Sequence, residues 1–179
     1  MGYDFYLKHT PKEDLELLLY INKIGGEFYA QLSIEERTEM SITYDFHITQ
    51  PNGKTVLVNH HYTPIALTQE GKIWKALCLF SLSHNASAGN IKIMQNNKPY
   101  FWEFNDKTEK WSKAEKISLT DREKDIIVLS AQGYDSKAIA NHLCLQESTI
   151  KYHRQKLYQK MKVKSLAEAL SYAITNQLI

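Results

Sequence analysis

The chain has 179 residues, 43% of them hydrophobic, with 22 Lys and Arg against 20 Asp and Glu and only two cysteines. That is enough apolar material for one domain or two small ones, and two cysteines without CxxC spacing exclude a disulfide framework or a cysteine-based zinc site. No window approaches the roughly 18 uninterrupted apolar residues of a membrane span, so a cytoplasmic protein without a membrane partner is expected.

Taken in chain order, residues 11 to 24 predict a helix. Pro11 suits its first turn, Glu13, Asp14 and Glu16 favour the positive end of the helix dipole, and Leu15, Leu18, Leu19 and Ile24 share a face. From 40 to 104 the texture changes to short β-branched and aromatic runs: "MSITYDFHIT", "KTVLVNHHYTPI", "KIWKALCLFSLS", "IKIMQ" and "YFWEF". "QPNGK", "LTQEGK" and "NNKP" supply turns between them, with Gly53 placed for a positive φ, so an antiparallel β meander with a helix ahead of it is predicted. Cys78 and Cys144 each sit in an apolar run and read as small buried hydrophobes in a reducing compartment. His60 and His61 are adjacent on a strand and so point to opposite faces, which rules them out as joint metal ligands. The polar stretch "NDKTEKWSKAEK", residues 105 to 116, reads as a linker.

Past the linker the apolar period becomes helical, and so does the charge balance. Residues 1 to 115 hold 12 Lys and Arg against 14 Asp and Glu, whereas residues 116 to 179 hold 10 against 6, which points the second half at an anionic partner. Thr120 and Glu123 form a capping-box pattern and Gly133 supplies a stop, giving a helix of about 121 to 132. Asp135 caps a short helix of about 136 to 143, a third runs from about 147 to 161, and Ser165 caps a fourth. On the third, Ile150, Leu157 and Met161 cluster on one side and Ser148, Lys151, Tyr152 and Gln155 project from the other. "KYHRQKLYQKMKVK", 151 to 164, holds six Lys or Arg and no acid. Two short helices joined by a tight turn, the second with a basic outer face, predict a helix-turn-helix that lays its second helix in the major groove of double-stranded DNA.

Residues 118 to 174 resemble the LuxR-type (GerE-like) DNA-binding domain of bacterial transcription regulators: "LTDREKDIIVLSAQG" its opening helix, "SKAIANHL" its scaffold helix, and "STIKYHRQKLYQKMKVK" its recognition helix and exit. Position by position, the resemblance implies that Lys151, Tyr152 and Gln155 contact bases, while Ser148, Thr149, His153, Arg154 and Lys156, joined by Lys137 and Lys160, contact the DNA backbone. It also implies a homodimer contact through the fourth helix near Ser165, Ala169 and Tyr172, and RNA polymerase as a further partner. Three positions depart from the family pattern: Gln146 replaces a capping Ser, Ala138 an acid, and Lys162 the Gly before Val163. The stretch from "MSITYDF" to "LFSLS" resembles the later part of a PAS sensor domain, with the third strand as its last, which implies sensing of an unknown small molecule or dimerisation. The whole is expected to be an α+β two-domain protein: a PAS-like unit at 1–104, a linker at 105–116, and an all-α four-helix unit of LuxR type at 117–179. No phosphorylation receiver is expected, because the β meander is not a doubly wound unit with an acidic pocket. Nor is catalysis, a cofactor or a bound metal: no Gly-rich phosphate loop, nucleophile elbow, HExxH or carboxylate cluster occurs. The alternative is a σ-factor-like or protein-docking helical module without its own operator; a σ-factor would need a second helical DNA-binding region upstream, which the β-rich half does not provide.

Overall fold

The computed structural model describes residues 3–96, 98–176 and 178–179, and divides into two compact units, Met1–Glu115 and Lys116–Ile179. Asn97, inside the turn expected at 96 to 99, lies outside the described residues.

The first unit begins with α1, Tyr3–His9, and α2, Lys12–Ala30. The sequence pattern stops α2 near Ile24, but the helix continues through Gly25 and Gly26 because Phe28 packs edge-on against Trp102 and Trp111, with ring centroids 5.6 and 5.2 Å away. A short α3, Ile34–Arg37, is started by a capping box between Ser33 and Glu36. Six strands follow: β1 Met40–Thr49, β2 Thr55–Leu67, β3 Ile73–Leu82, β4 Gly89–Gln95, β5 Tyr100–Asn105 and β6 Lys110–Glu115. All their pairings are antiparallel, in the order β3-β2-β1-β4-β5-β6. Leu18, Ile21 and Ile24 of α2 pack on Ile42, Tyr44 and Phe46 of β1 and on Ile91 and Ile93 of β4. The carboxylate of Asp14 ties the same helix to β1, accepting from the backbone N–H of His47 and meeting its Nδ1 at 2.8 Å.

Three expectations are corrected here. The supposed linker carries β6, whose six residues pair with β5 from Tyr100↔Glu115 to Asn105↔Lys110. It escapes notice because it is an exposed edge strand, where charged residues such as Lys110 and Lys113 blunt the free edge. Cys78 and Cys144 are both exposed, not buried: Cys78 stands on edge strand β3, and Cys144 occupies a turn. Finally, the strands do not form a simple meander: β3 lies at one edge of the sheet, and β4 pairs not with β3 but with β1 on its other side.

That pairing is held by a fully buried carboxylate. Asp45 of β1 accepts hydrogen bonds from the side-chain amides of Asn59 (2.9 Å), Asn85 (2.6 Å) and Asn90 (2.9 Å), of which Asn85 lies in the connection leading into β4 and Asn90 at the start of β4 itself. A buried carboxylate needs its lone pairs taken up, and three amide donors do that here.

The second unit is four helices: α4 Asp121–Ala131, α5 Ser136–His142, α6 Glu147–Met161 and α7 Leu166–Thr175. The capping box of Thr120 and Glu123 and the side-chain caps of Asp135 and Ser165 are all made. Gln146, as its departure from the family pattern implies, makes no side-chain cap. Two apolar clusters fill the interior: Ile126, Leu129, Ile139, Ala140 and Ile150 join α4, α5 and α6, while Ile127, Leu157, Met161, Ala169 and Ala173 join α4, α6 and α7. The turn between α5 and α6 passes through Cys144 at φ 54°, letting the N–H of Leu145 reach the carbonyl of Ala140 at 2.9 Å. A side chain is strained there. Cys144→Gly is therefore expected to raise stability by about 1 kcal/mol, read as a higher urea midpoint at unchanged m-value; a lower midpoint would contradict the strain.

Candidate nucleic-acid interface

Helix α6 is divided lengthwise by its sequence. Ile150, Leu157 and Met161 are the buried residues of the helix, as the period requires, and they fix its rotation against α4 and α5. The opposite face is then obliged to be outward: Ser148, Lys151, Tyr152, Gln155 and Lys156 are exposed, and Tyr152 keeps 57% of its surface. Thr149, His153 and Arg154 flank this face and are half-buried, while Lys137 stands exposed on α5.

Hydrogen bonds sort the cations by availability. Lys151 Nζ meets Glu147 Oε1 one turn back at 2.6 Å, but both side chains remain well exposed, so the ammonium is held at the surface rather than withdrawn. Arg154 bridges two elements, its guanidinium donating to Ser136 Oγ on α5 and to Tyr158 Oη on its own helix, each at 3.3 Å. Lys156 lies 5.7 Å from the ring centre of Tyr152. Among the described residues, no acid lies within salt-bridge distance of Arg154, Lys156, Lys162 or Lys164.

One open groove of about 540 Å³ runs along α6, with Lys151, Arg154, Lys162 and Lys164 on its walls and Ser136, Gln155 and Tyr158 between them; Lys156 lies outside it. The groove contains no carboxylate. Guanidinium, ammonium and hydroxyl groups converging on acid-free space are what a chain of phosphates requires. Lys162 and Lys164 belong to the basic run 151 to 164 that the sequence marks, whereas Ser136 and Tyr158 are not singled out there. The i, i+4 spacing of Arg154 and Tyr158 was a usable signal, whereas the approach of Ser136 depends on how α5 crosses α6.

Two expected contacts are differently employed. Lys160 turns toward α4 and donates to Glu123 Oε2 at 2.9 Å, so it links the two helices instead of lining the groove. Desolvation alone would push the Glu123 carboxyl up, but the N–H of Thr120 and the ammonium of Lys160 outweigh it and hold the group below the usual carboxylate range. Lys160→Ala is expected to cost about 1 kcal/mol of stability and to leave the salt dependence of DNA binding nearly unchanged; a shallower salt slope at constant stability would return Lys160 to the phosphate-contacting set. Of the residues assigned to dimerisation, Ala169 is packed in the core between α4, α6 and α7 and cannot meet a partner. The Ser165 hydroxyl caps α7, and Tyr172 packs against the same core half-buried.

Residues 117–173 match the profile of a family described as "Bacterial regulatory proteins, luxR family". Among curated proteins the chain is similar to the nitrate/nitrite response regulator protein NarL of Escherichia coli strain K12, 35% identical over 91 residues, which are 51% of this chain and 42% of that protein. It is also similar to the oxygen regulatory protein NreC of Staphylococcus carnosus, 36% identical over 61 residues, or 34% of this chain and 28% of that one. The uncharacterized response regulatory protein YgeK of Escherichia coli is 33% identical over 100 residues, 54% of this chain and 68% of YgeK. The chain thus spans less than half the length of NarL. Among solved structures, a Vibrio cholerae VqmA dimer, a LuxR-type receptor described in the absence of its target DNA, aligns over 86% of this chain and 63% of its own at 18% identity, with a TM-score of 0.33. So loose a superposition aligns no site.

Proposed function

Since the chain belongs to the luxR family of bacterial regulatory proteins, we propose that it is a DNA-binding transcription regulator that places α6 in the major groove. The observation that carries this reading is the acid-free cationic groove beside a helix whose apolar side is wholly committed to the core. Lys151, Tyr152 and Gln155, on the outermost line of α6, read base edges. Arg154, Lys156 and Lys137, with the hydroxyls of Ser148 and Thr149 and the ring of His153, hold phosphates on either side. Lys162 and Lys164 extend the phosphate contacts past the end of the helix.

Two copies present two such helices about one turn of the duplex apart, so the operator is an inverted repeat. The first unit senses a small molecule or joins the protomers, and RNA polymerase is a further partner. Selection of duplexes from a random pool by the full protein, followed by a salt titration of the enriched sequence, tests the reading. An inverted-repeat consensus whose affinity falls linearly with log salt supports it. Failure to enrich any sequence would favour the protein-docking alternative.

A further inference from the structure

Between α2 and strands β1 and β2 the first unit encloses a cavity of about 210 Å³, walled by Ile21, Met40, Ile42 and Ile73. No lining residue carries a charge. Its polar groups come chiefly from Tyr44 and Tyr62, while the Tyr29 hydroxyl is already donated to the carbonyl of Gly71 at 3.2 Å. Asn22 and Gly26, both exposed, mark the mouth. Two adjacent glycines inside a 19-residue helix cost it about 1 kcal/mol each relative to alanine, so each needs a reason. For Gly25 the reason is packing: a Cβ would stand 3.0 Å from Ile42 Cδ1. For Gly26 there is none, since nothing lies within 4 Å of where its Cβ would be. Its bare backbone leaves the entrance open.

The hydrogen-bond arrangement behind the wall fixes what the cavity offers. His60 is 2% exposed and stacks on Phe80 with centroids 4.5 Å apart. Its Nδ1 is 2.7 Å from the Tyr44 hydroxyl, and its Nε2 is buried with no hydrogen-bond partner among the described residues. Burial pushes its pKa down to about 4, so near pH 7 the ring is neutral and carries one N–H. Either the Tyr44 O–H donates to Nδ1 and an N–H at Nε2 is left unpaired, or Nδ1–H donates to the Tyr44 oxygen and the Tyr44 O–H needs an acceptor elsewhere. An acceptor placed in the cavity selects the second arrangement, which then leaves no buried donor unpaired. With such an acceptor bound, the O–H of Tyr44, which burial keeps protonated, donates into the cavity that Tyr44 lines instead of to His60.

We propose that this cavity is a receptor site for an uncharged, mainly apolar small molecule bearing one hydrogen-bond acceptor, which takes the Tyr44 hydroxyl. It rests on the reading of the first unit as the sensing half and specifies the ligand class. The volume suits about ten non-hydrogen atoms, so acetophenone, isopropylbenzene and benzoate make a matched set with an acceptor, without one, and with a charge.

Titration of each into the full protein, followed by the amide resonances of Gly25 and Gly26, is expected to rank acetophenone first, isopropylbenzene about fivefold weaker, and benzoate undetectable. Tyr44→Phe should remove the difference between the first two. Gly26→Leu, which puts a side chain across the mouth at a position with room for it, should weaken both about tenfold while the protein stays folded. Benzoate binding as well as acetophenone, no saturable shift with any probe, or unchanged affinity in folded Gly26→Leu would overturn the proposal. Duplex affinity is measured on the same samples: saturable binding that leaves it unchanged upholds the site and removes only the sensing role.

Discussion

Lys151→Ala is expected to weaken binding to the selected operator by about 1 to 3 kcal/mol, five- to 150-fold, while binding to random duplex falls far less. Lys151 stands on the outermost line of α6, where a long side chain reaches base edges, and its ammonium is kept at the surface by Glu147 at 2.6 Å. That pair also sets the size of the effect. Base contact must be exchanged for an exposed ion pair worth a few tenths of a kcal/mol, so little of the gain is lost. Glu147→Gln should accordingly strengthen random-duplex binding slightly, by removing an anion beside the phosphates. Competition binding against operator and scrambled duplexes at fixed salt separates the terms. Equal losses on both for Lys151→Ala would make the residue a phosphate contact.

The second large effect concerns pH. His60 is buried among Tyr6 of α1, Tyr44 and Phe46 of β1, its own strand's Tyr62, and Phe80 of β3, in aromatic contacts with ring centroids 4.5 to 6.4 Å away. The neighbouring ionisable groups stay neutral in acid: burial raises Tyr6 to about 12 and pushes the Tyr44 and Tyr62 hydroxyls and the Cys78 thiol up as well. None can therefore stabilise an imidazolium. With a pKa near 4 in the folded protein and about 6.5 unfolded, the unfolded chain binds more protons between those values. The stability due to neutral His60 is thus fully present above pH 6.5 and lost as pH falls toward 4, by about 3 kcal/mol in all. His61, also lowered by burial, adds in the same direction. Urea unfolding at pH 7.5 and 4.5 measures the loss. His60→Phe, which keeps a ring on Phe80 and removes the titrating group, should lose much less. A variant as acid-sensitive as the parent would show that the proton goes elsewhere.

How far the fold was legible follows from what each element depends on. Helix α6 was found to the residue, 147 to 161, because Ile150, Leu157 and Met161 mark its period and the signals on both sides are local. The caps of α4, α5 and α7 were legible for the same reason. β6 was not, since an exposed edge strand takes its structure from the strand beside it and leaves no apolar alternation to read. The Asp45 clamp was equally hidden: its asparagines lie 14, 40 and 45 residues away, and only the return of β4 to β1 assembles them. In the interface, the outward residues of α6 followed from periodicity. The diversion of Lys160 to Glu123, 37 residues earlier, and of Ala169 into the core followed from helix packing that no local pattern encodes.

The salt dependence of duplex binding by the full protein bears most directly on the role given to α6. Anisotropy of a labelled mixed-sequence duplex should show saturable binding at low ionic strength. If Lys137, Arg154, Lys156, Lys162 and Lys164 each neutralise one phosphate, the log–log slope should be about −4.5 per protomer. Folded protein with no affinity for any duplex under those conditions, or with an affinity that salt leaves unchanged, would contradict it.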